Sequence, residues 1–189
     1  QGRPPFGVEL RIVDDEGNEL PWDGKSSGHV QVRGPWIASG YFRGAGQDAF
    51  TDDGWMKTGD VAYLDQDGFM TITDRSKDVI KTGGEWVSSI DLENAAMGHP
   101  DVAMAAAIGM PHPKWDERPL LIVQPVPESE PSVESIREYL AGVVPKLWVP
   151  DDVQFIEEMP IGATGKILKT KLREMFKDYQ FPGTEEMGA

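Results

Sequence analysis

The sequence predicts an α+β protein built from two structural units, because the two halves of the chain have different hydrophobic patterns. Residues 1–74 alternate apolar and polar side chains in short runs, as half-buried β-strands do. From about residue 88 onward, apolar runs of strand length alternate with segments of helical period, which indicates a small domain that combines a sheet with helices. We place the boundary near Arg75 to Lys77 and divide the chain into units 1–75 and 76–189.

The first unit is predicted to contain short strands separated by turns. Strands are expected over residues 8–12 and 30–32, where every second residue is apolar. Two further strands, 61–64 and 69–73, flank the sequence Asp65-Gln-Asp-Gly68, which is typical of a hairpin turn.

The second unit is predicted to contain three helices between strands at 102–108, 120–126 and 153–156. The first two helices have clear start signals, a capping box at Ser88 to Asp91 and the pair Pro131-Ser132. The first helix should end at Gly98, and the third should start near Lys166. The expected apolar stripes of the second and third helices are Val133, Ile136, Leu140 and Val143, and Leu168, Leu172, Met175 and Phe176.

Composition excludes several classes of function. The 189 residues hold 18 basic and 32 acidic side chains, so the net charge is 18 − 32 = −14, which disfavours nucleic acid as a partner. The chain has no cysteine, and its three histidines lack the spacing of metal ligands, so no metal site is predicted. No apolar run reaches the length of a membrane span. The N-terminus lacks Met and a signal sequence, so we expect a fragment of a cytoplasmic protein.

Three stretches could carry chemistry, and the first is Gly54-Trp-Met-Lys-Thr-Gly-Asp60. A Gly followed by Asp just before a strand is usually a turn. The functional alternative is that Asp60 accepts hydrogen bonds from a ligand diol, since an ionised carboxylate offers only acceptors to two adjacent ribose hydroxyls.

The second stretch runs from Asp74 to Trp86 and has the sequence DRSKDVIKTGGEW. It is either a solvated interdomain linker with an ordinary turn or a place where another molecule approaches the backbone. The second interpretation depends on Gly83 and Gly84, because two successive residues without Cβ permit close approach.

The third stretch, Met159 to Lys169, resembles a phosphate-binding P-loop, but its glycines are too closely spaced and Lys166 is followed by Ile. Lys166 is predicted at the start of a helix, where a cation opposes the helix dipole unless it meets an anion. Five basic residues lie within the 12 positions 166–177, which predicts either a local positive island or a solvated basic helix face.

Together these motifs resemble the C-terminal third of an adenylate-forming enzyme, and more specifically of an AMP-forming fatty-acyl-CoA synthetase. The resemblance rests on TGD at 58–60, DRSKDVIKTGGEW at 74–86 and PIGATGK at 160–166, in that order, and covers residues 6–176. It implies that 1–75 is the β-rich end of the large AMP-binding N-terminal domain, which is incomplete here. It also implies that 76–189 is the small, mobile C-terminal domain.

The resemblance further implies the reaction, the cofactors and the residue roles. ATP and a medium- or long-chain fatty acid would form acyl-AMP, and CoA would then displace AMP. Mg²⁺ would accompany ATP, with its ligands upstream of this chain. Lys166 would be the catalytic lysine and Lys77 the hinge. The ATP- and AMP-binding residues would be Asp60, Arg75, Lys81 and Trp86, and the CoA-binding residues Gly83 and Gly84.

Two alternatives remain open at this stage. One is an aryl- or amino-acid-activating adenylation domain of the same superfamily, and the other is a non-catalytic acidic binding module. Because the family's phosphate loop and acyl pocket would lie upstream, we expect the isolated chain to be inactive. Acyl-chain specificity and oligomeric state do not follow from the sequence.

Overall fold

The computed structural model describes residues 2–184 and has the predicted α+β architecture. The chain forms two compact units, Gln1–Lys77 and Asp78–Ala189. Their boundary lies two residues after the one predicted from the sequence. Each unit has its own sheet and its own hydrophobic core.

The first unit is an antiparallel sheet of four strands in sequence order. The strands are β1 (Glu9–Val13), β2 (Gly28–Arg33), β3 (Met56–Leu64) and β4 (Met70–Arg75). The predicted alternation places one side of the sheet in a core that contains Ile12, Val30, Ala62 and Leu64. The predicted hairpin is confirmed, because Asp65 and Phe69 face each other across a turn closed by a 2.9 Å hydrogen bond from the Gly68 amide to the Asp65 carbonyl.

The second unit is built on a five-stranded sheet. Its strands are β5 (Ile80–Thr82), β6 (Glu85–Val87), β7 (Val102–His112), β8 (Asp116–Pro125) and β9 (Asp152–Phe155). The order is β6-β5-β8-β7, and β9 pairs in parallel with β8. The long hairpin of β7 and β8 therefore forms the centre of this unit.

Helices α1 (Ser89–Ala96), α2 (Val133–Ala141) and α3 (Lys169–Met175) cover this sheet. Leu121 and Val123 of β8 share a core with α1 and α2, whereas Leu120 and Ile122 share a second core with Leu172 of α3. Because both faces of β8 are covered, its sequence is a continuous apolar run rather than an alternation.

The first two helices begin at the serine caps predicted from the sequence. The Ser88 hydroxyl accepts a 3.1 Å hydrogen bond from the Asp91 amide, and the Ser132 hydroxyl accepts one of 3.0 Å from the Ser135 amide, so both predicted N-caps are confirmed. Two members of the predicted stripes are wrong. Val143 lies beyond the end of α2 and Met175 lies at the end of α3, and both are more than half exposed.

Candidate functional site

Asp60 and Arg75 are brought together by the pairing of β3 with β4. They are direct partners in the register of this antiparallel ladder, and the Arg75 guanidinium donates to the Asp60 carboxylate. The Arg75 side chain is 54% exposed and that of Asp60 is 23% exposed, so the pair faces solvent. A carboxylate that accepts hydrogen bonds and a guanidinium that donates them suit a ligand with hydroxyl groups.

The segment Thr58-Gly59-Asp60 lies inside β3 and is not a turn before a strand, so the simple turn interpretation is wrong. The pairing of β2 with β3 slips at this point. Gly59 has φ of +76°, a conformation that other residues adopt only at a cost. The Thr58 hydroxyl accepts a 3.2 Å hydrogen bond from the Asp60 amide. This irregularity in the strand fixes the backbone from which the Asp60 carboxylate projects.

Lys77 is the last residue of the first compact unit and lies in a turn over residues 76–78. Of the four charged residues in this segment, Asp74 and Asp78 are buried, whereas Arg75 and Lys77 are exposed to solvent.

Gly83 and Gly84 form the two-residue turn between β5 and β6, but their surroundings differ. Both have positive φ, +57° and +85°, which a tight hairpin of this kind requires. The Gly83 amide donates to the Trp115 carbonyl, and a Cβ at Gly83 would lie only 2.8 Å from the Trp115 ring. A Cβ at Gly84 would meet no atom within 4 Å. The backbone of Gly84 is therefore open to the approach of another molecule, whereas Gly83 is needed for packing inside the unit.

Lys81 and Trp86 are cross-strand partners on β5 and β6. The Lys81 ammonium lies 5.4 Å from the centre of the Trp86 ring, within the range of a cation–π contact. The Lys81 amide also donates to a carboxylate oxygen of Glu117 at 3.0 Å. A cation and a flat aromatic surface thus lie beside the glycine turn.

Lys166 does not lie at the start of a helix, which corrects the sequence prediction. Ile161 and Ile167 form an antiparallel bridge, and the Gly162 amide donates to the Lys166 carbonyl at 2.8 Å. The loop Gly162–Lys166 therefore folds back on itself before α3 begins at Lys169. Lys166 is exposed at the base of this loop, and no ion pair with a carboxylate of residues 2–184 is formed. The argument from the helix dipole does not apply to it.

The predicted positive island is largely neutralised. Lys169 pairs with Glu93 at 2.6 Å, Arg173 with Asp78 at 2.8 Å and Lys177 with Glu174 at 2.9 Å. Two of these acidic partners lie more than 70 residues earlier in the chain, so the local sequence could not reveal them. Lys166 and Lys171 are the two cations of the group without an ion pair in the described part of the chain.

Sequence reasoning missed two supporting residues, Glu117 and Arg118 on β8. The Glu117 carboxylate accepts a hydrogen bond from the Lys81 amide, and this bond fixes the strand that leads to the glycine turn. Arg118 is 6% exposed and donates to both carboxylate oxygens of Asp151 at 2.8 and 2.9 Å. The only sign of these residues in the sequence is that two charged side chains directly precede the apolar run of β8. Their partners, Lys81 and Asp151, lie in distant segments, so no local pattern indicates them.

Within residues 2–184, no three His, Asp or Glu side chains come together in a group that could hold a metal ion. In the same part of the chain, no helix is long and apolar enough to cross a lipid bilayer.

Comparison with known proteins identifies the family. Residues 91–166 match the model of the AMP-binding enzyme C-terminal domain. A 3-methylmercaptopropionyl-CoA ligase of Ruegeria lacuscaerulensis is 57% identical, and a medium-chain-fatty-acid–CoA ligase of Ectopseudomonas oleovorans is 51% identical, each over 94% of this chain. The crystal structure of ATP-bound MatB from Rhodopseudomonas palustris matches with a TM-score of 0.80 and 32% identity, over 94% of this chain and 35% of that chain.

The chain spans about a third of the length of the curated relatives it matches. Its matching part includes the C-terminal domain of AMP-binding enzymes, and its fold is that of the solved adenylate-forming relatives. The chain therefore belongs to the family of AMP-binding, adenylate-forming enzymes, to whose C-terminal part it corresponds.

Proposed function

We propose that this chain is the C-terminal part of an ATP-dependent acid–CoA ligase that activates a medium- or long-chain fatty acid. The observation that carries the proposal is the 57% and 51% identity to CoA ligases over 94% of the chain. In this proposal residues 1–75 end the AMP-binding N-terminal domain, and residues 76–189 are the small C-terminal domain.

The proposed reaction has two half-reactions. In the first, a carboxylate oxygen of the acid attacks the α-phosphate of ATP, and pyrophosphate leaves. In the second, the thiol of CoA attacks the carbonyl of the acyl-AMP, loses its proton and displaces AMP. The products are the acyl-CoA thioester, AMP and pyrophosphate.

Asp60 and Arg75 would hold the ribose of the nucleotide. The Asp60 carboxylate is already fixed by Arg75 and by the irregular backbone of β3. Prior fixation reduces the entropy that ligand binding has to overcome. The exposure of the pair leaves room for two hydroxyls to donate to the carboxylate.

Lys166 would stabilise the first half-reaction. It projects from a folded loop and has no ion pair in residues 2–184, so its ammonium is available for an anionic ligand. Placed beside the α-phosphate and the attacking carboxylate, it would offset the negative charge that builds up in the transition state.

The glycine turn would serve the second half-reaction. Rotation of the small domain at Lys77 would withdraw Lys166 and bring in Lys81, Gly84 and Trp86. The open space at Gly84 suits the narrow pantetheine arm of CoA. Gly83 supports this arrangement through its contact with Trp115, and Lys81 with Trp86 would face the adenylate.

Mg²⁺ would arrive with ATP in the complete enzyme. Residues 2–184 do not group the acidic side chains that such an ion needs, so no step above depends on ligands from this chain.

A second acid substrate deserves a direct test, because the relative that is 57% identical is a 3-methylmercaptopropionyl-CoA ligase. A short thioether acid would then replace the fatty acid, with the same two half-reactions. An aryl- or amino-acid-activating enzyme is less well supported, since relatives at 43% and 39% identity act, by name, on cinnamate and benzoate.

The test uses the full-length protein with ATP, Mg²⁺ and CoA. Fatty acids of graded length, 3-methylmercaptopropionate, benzoate and a mixture of amino acids are supplied in turn. Pyrophosphate release and thioester mass are measured. We expect CoA-dependent thioester formation that is fastest with a medium or long fatty acid. Preference for the thioether acid would replace the substrate assignment, and adenylate formation without thioester would contradict the CoA ligase.

A further inference from the structure

The residue before Lys77 is held at two points, and both contacts lie within the first unit. The Ser76 amide donates to the Gly59 carbonyl at 2.9 Å. The Ser76 hydroxyl lies 2.9 Å from Nδ1 of His29, whose Nε2 lies 3.0 Å from an Asp15 carboxylate oxygen. The end of β4 is therefore tied both to the segment before Asp60 and to the start of β2.

The direction of these hydrogen bonds follows from the groups involved. An ionised Asp15 carboxylate only accepts, so Nε2 of His29 carries the hydrogen that it receives. In the neutral imidazole, Nδ1 is then the acceptor and the Ser76 hydroxyl donates to it. The side chain of His29 is three-quarters buried, so water competes only partly for these bonds.

The residue after Lys77 is held by its side chain, within the second unit. The Asp78 carboxylate accepts a 2.8 Å hydrogen bond from Nη2 of Arg173 on α3, and the Asp78 side chain is 12% exposed. Val79 and Ile80, which follow, are buried, and Ile80 belongs to the core of this unit. A charged hydrogen bond of this kind shifts an equilibrium by roughly tenfold to a hundredfold.

We propose that His29 and Arg173 are positioning residues that confine the rotation of the small domain to the backbone of Lys77. The proposal rests on the hinge of the proposed function and adds the anchors on its two sides. With Ser76 and Asp78 fixed, the change in dihedral angles cannot spread along the chain. It is concentrated in φ and ψ of one residue, which limits the rotation to defined end states.

The experiment uses Lys77→Pro in the full-length ligase, because proline fixes φ near −65° and so limits the rotation. Pyrophosphate exchange reports the first half-reaction, and thioester formation from supplied acyl-AMP reports the second. Lys77→Pro should slow one half-reaction much more than the other. Adding Arg173→Ala releases Asp78, so a neighbouring residue can rotate instead, and the slowed half-reaction should recover by roughly tenfold. Asp78→Ala, which removes the acceptor instead of the donor, should give a similar recovery.

Two variants are matched controls. Lys171→Ala removes a cation from the same helix that has no ion pair in the described residues, and Arg173→Lys keeps a charge opposite Asp78. Neither should restore the slowed half-reaction. On the other side of the hinge, His29→Ala should speed amide hydrogen exchange in a peptide that contains Ser76, whereas His29→Asn, which can still accept from the Ser76 hydroxyl, should change it less.

The outcomes separate the anchors from the hinge itself. Recovery with Arg173→Ala and Asp78→Ala but not with the controls supports the proposal. A selective Lys77→Pro defect without such recovery, or unchanged exchange at Ser76 in His29→Ala, overturns the anchors and leaves the hinge in place. If Lys77→Pro leaves the ratio of the two half-reactions unchanged, the hinge assignment is wrong and the anchors fall with it.

Discussion

Gly83 should be far less tolerant of a side chain than its neighbour Gly84. At Gly83, alanine has to adopt φ of +57° and its Cβ would lie 2.8 Å from Cε3 of Trp115. The left-handed conformation costs about 1–2 kcal/mol, and forcing extra volume into a packed contact costs about 1–3 kcal/mol. Gly83→Ala should therefore lower the free energy of unfolding by roughly 2–5 kcal/mol.

Gly84→Ala is the matched control. Gly84 also has a positive φ, +85°, but a Cβ at this position would meet open space. It should cost only the conformational part, about 1–2 kcal/mol. Urea unfolding of both variants and the parent chain, followed by circular dichroism, measures the difference. Equal losses of stability in the two variants would show that close packing against Trp115 is not what requires glycine at position 83.

Three further predictions concern the same units. Gly84→Leu in the full-length enzyme should block thioester formation and raise the apparent KM for CoA while pyrophosphate exchange survives; loss of both activities at unchanged melting temperature would contradict the placement of the turn. Glu93→Ala leaves the largely buried Lys169 ammonium without its charge partner and should cost about 3–5 kcal/mol, whereas Glu93→Leu with Lys169→Met removes the unpaired charge and should cost only about 1–3 kcal/mol in urea unfolding, for the lost bond from the Ala107 amide to Glu93. The 189-residue chain alone should release no pyrophosphate with ATP, CoA and fatty acids, and turnover above a blank without protein would disprove this.

Local sequence patterns predicted the elements whose signals are short in range. The capped starts of α1 and α2 depend on Ser88 and Ser132 and on residues three positions later, and both caps are present. The hairpin at Asp65 likewise depends on a turn of a few residues. These features need no information about distant parts of the chain.

Two of the features that sequence reasoning missed depend on long-range partners, and a third depends on a local bridge that has no pattern in the sequence. Lys166 was predicted at a helix start because apolar residues follow it at helical spacing, but the Ile161–Ile167 bridge delays α3 by three residues. Lys169 and Arg173 belong to the predicted positive island, but in the folded chain each forms an ion pair with a distant acidic residue, Glu93 and Asp78 respectively. Gly83 and Gly84 differ in the space around them because only Gly83 lies against Trp115, which is about 30 residues away in the sequence.

In the proposed enzyme, Lys166 acts in the first half-reaction of an acid–CoA ligase and not in the second. The most direct measurement compares Lys166→Ala with the parent in the full-length enzyme, with Lys171→Ala as a control for loss of a nearby exposed cation. Pyrophosphate exchange should fall about a hundred- to a thousandfold in Lys166→Ala only. Thioester formation from supplied acyl-AMP should stay close to that of the parent. Equal losses in both half-reactions, or full exchange activity without Lys166, would rule out this role for Lys166.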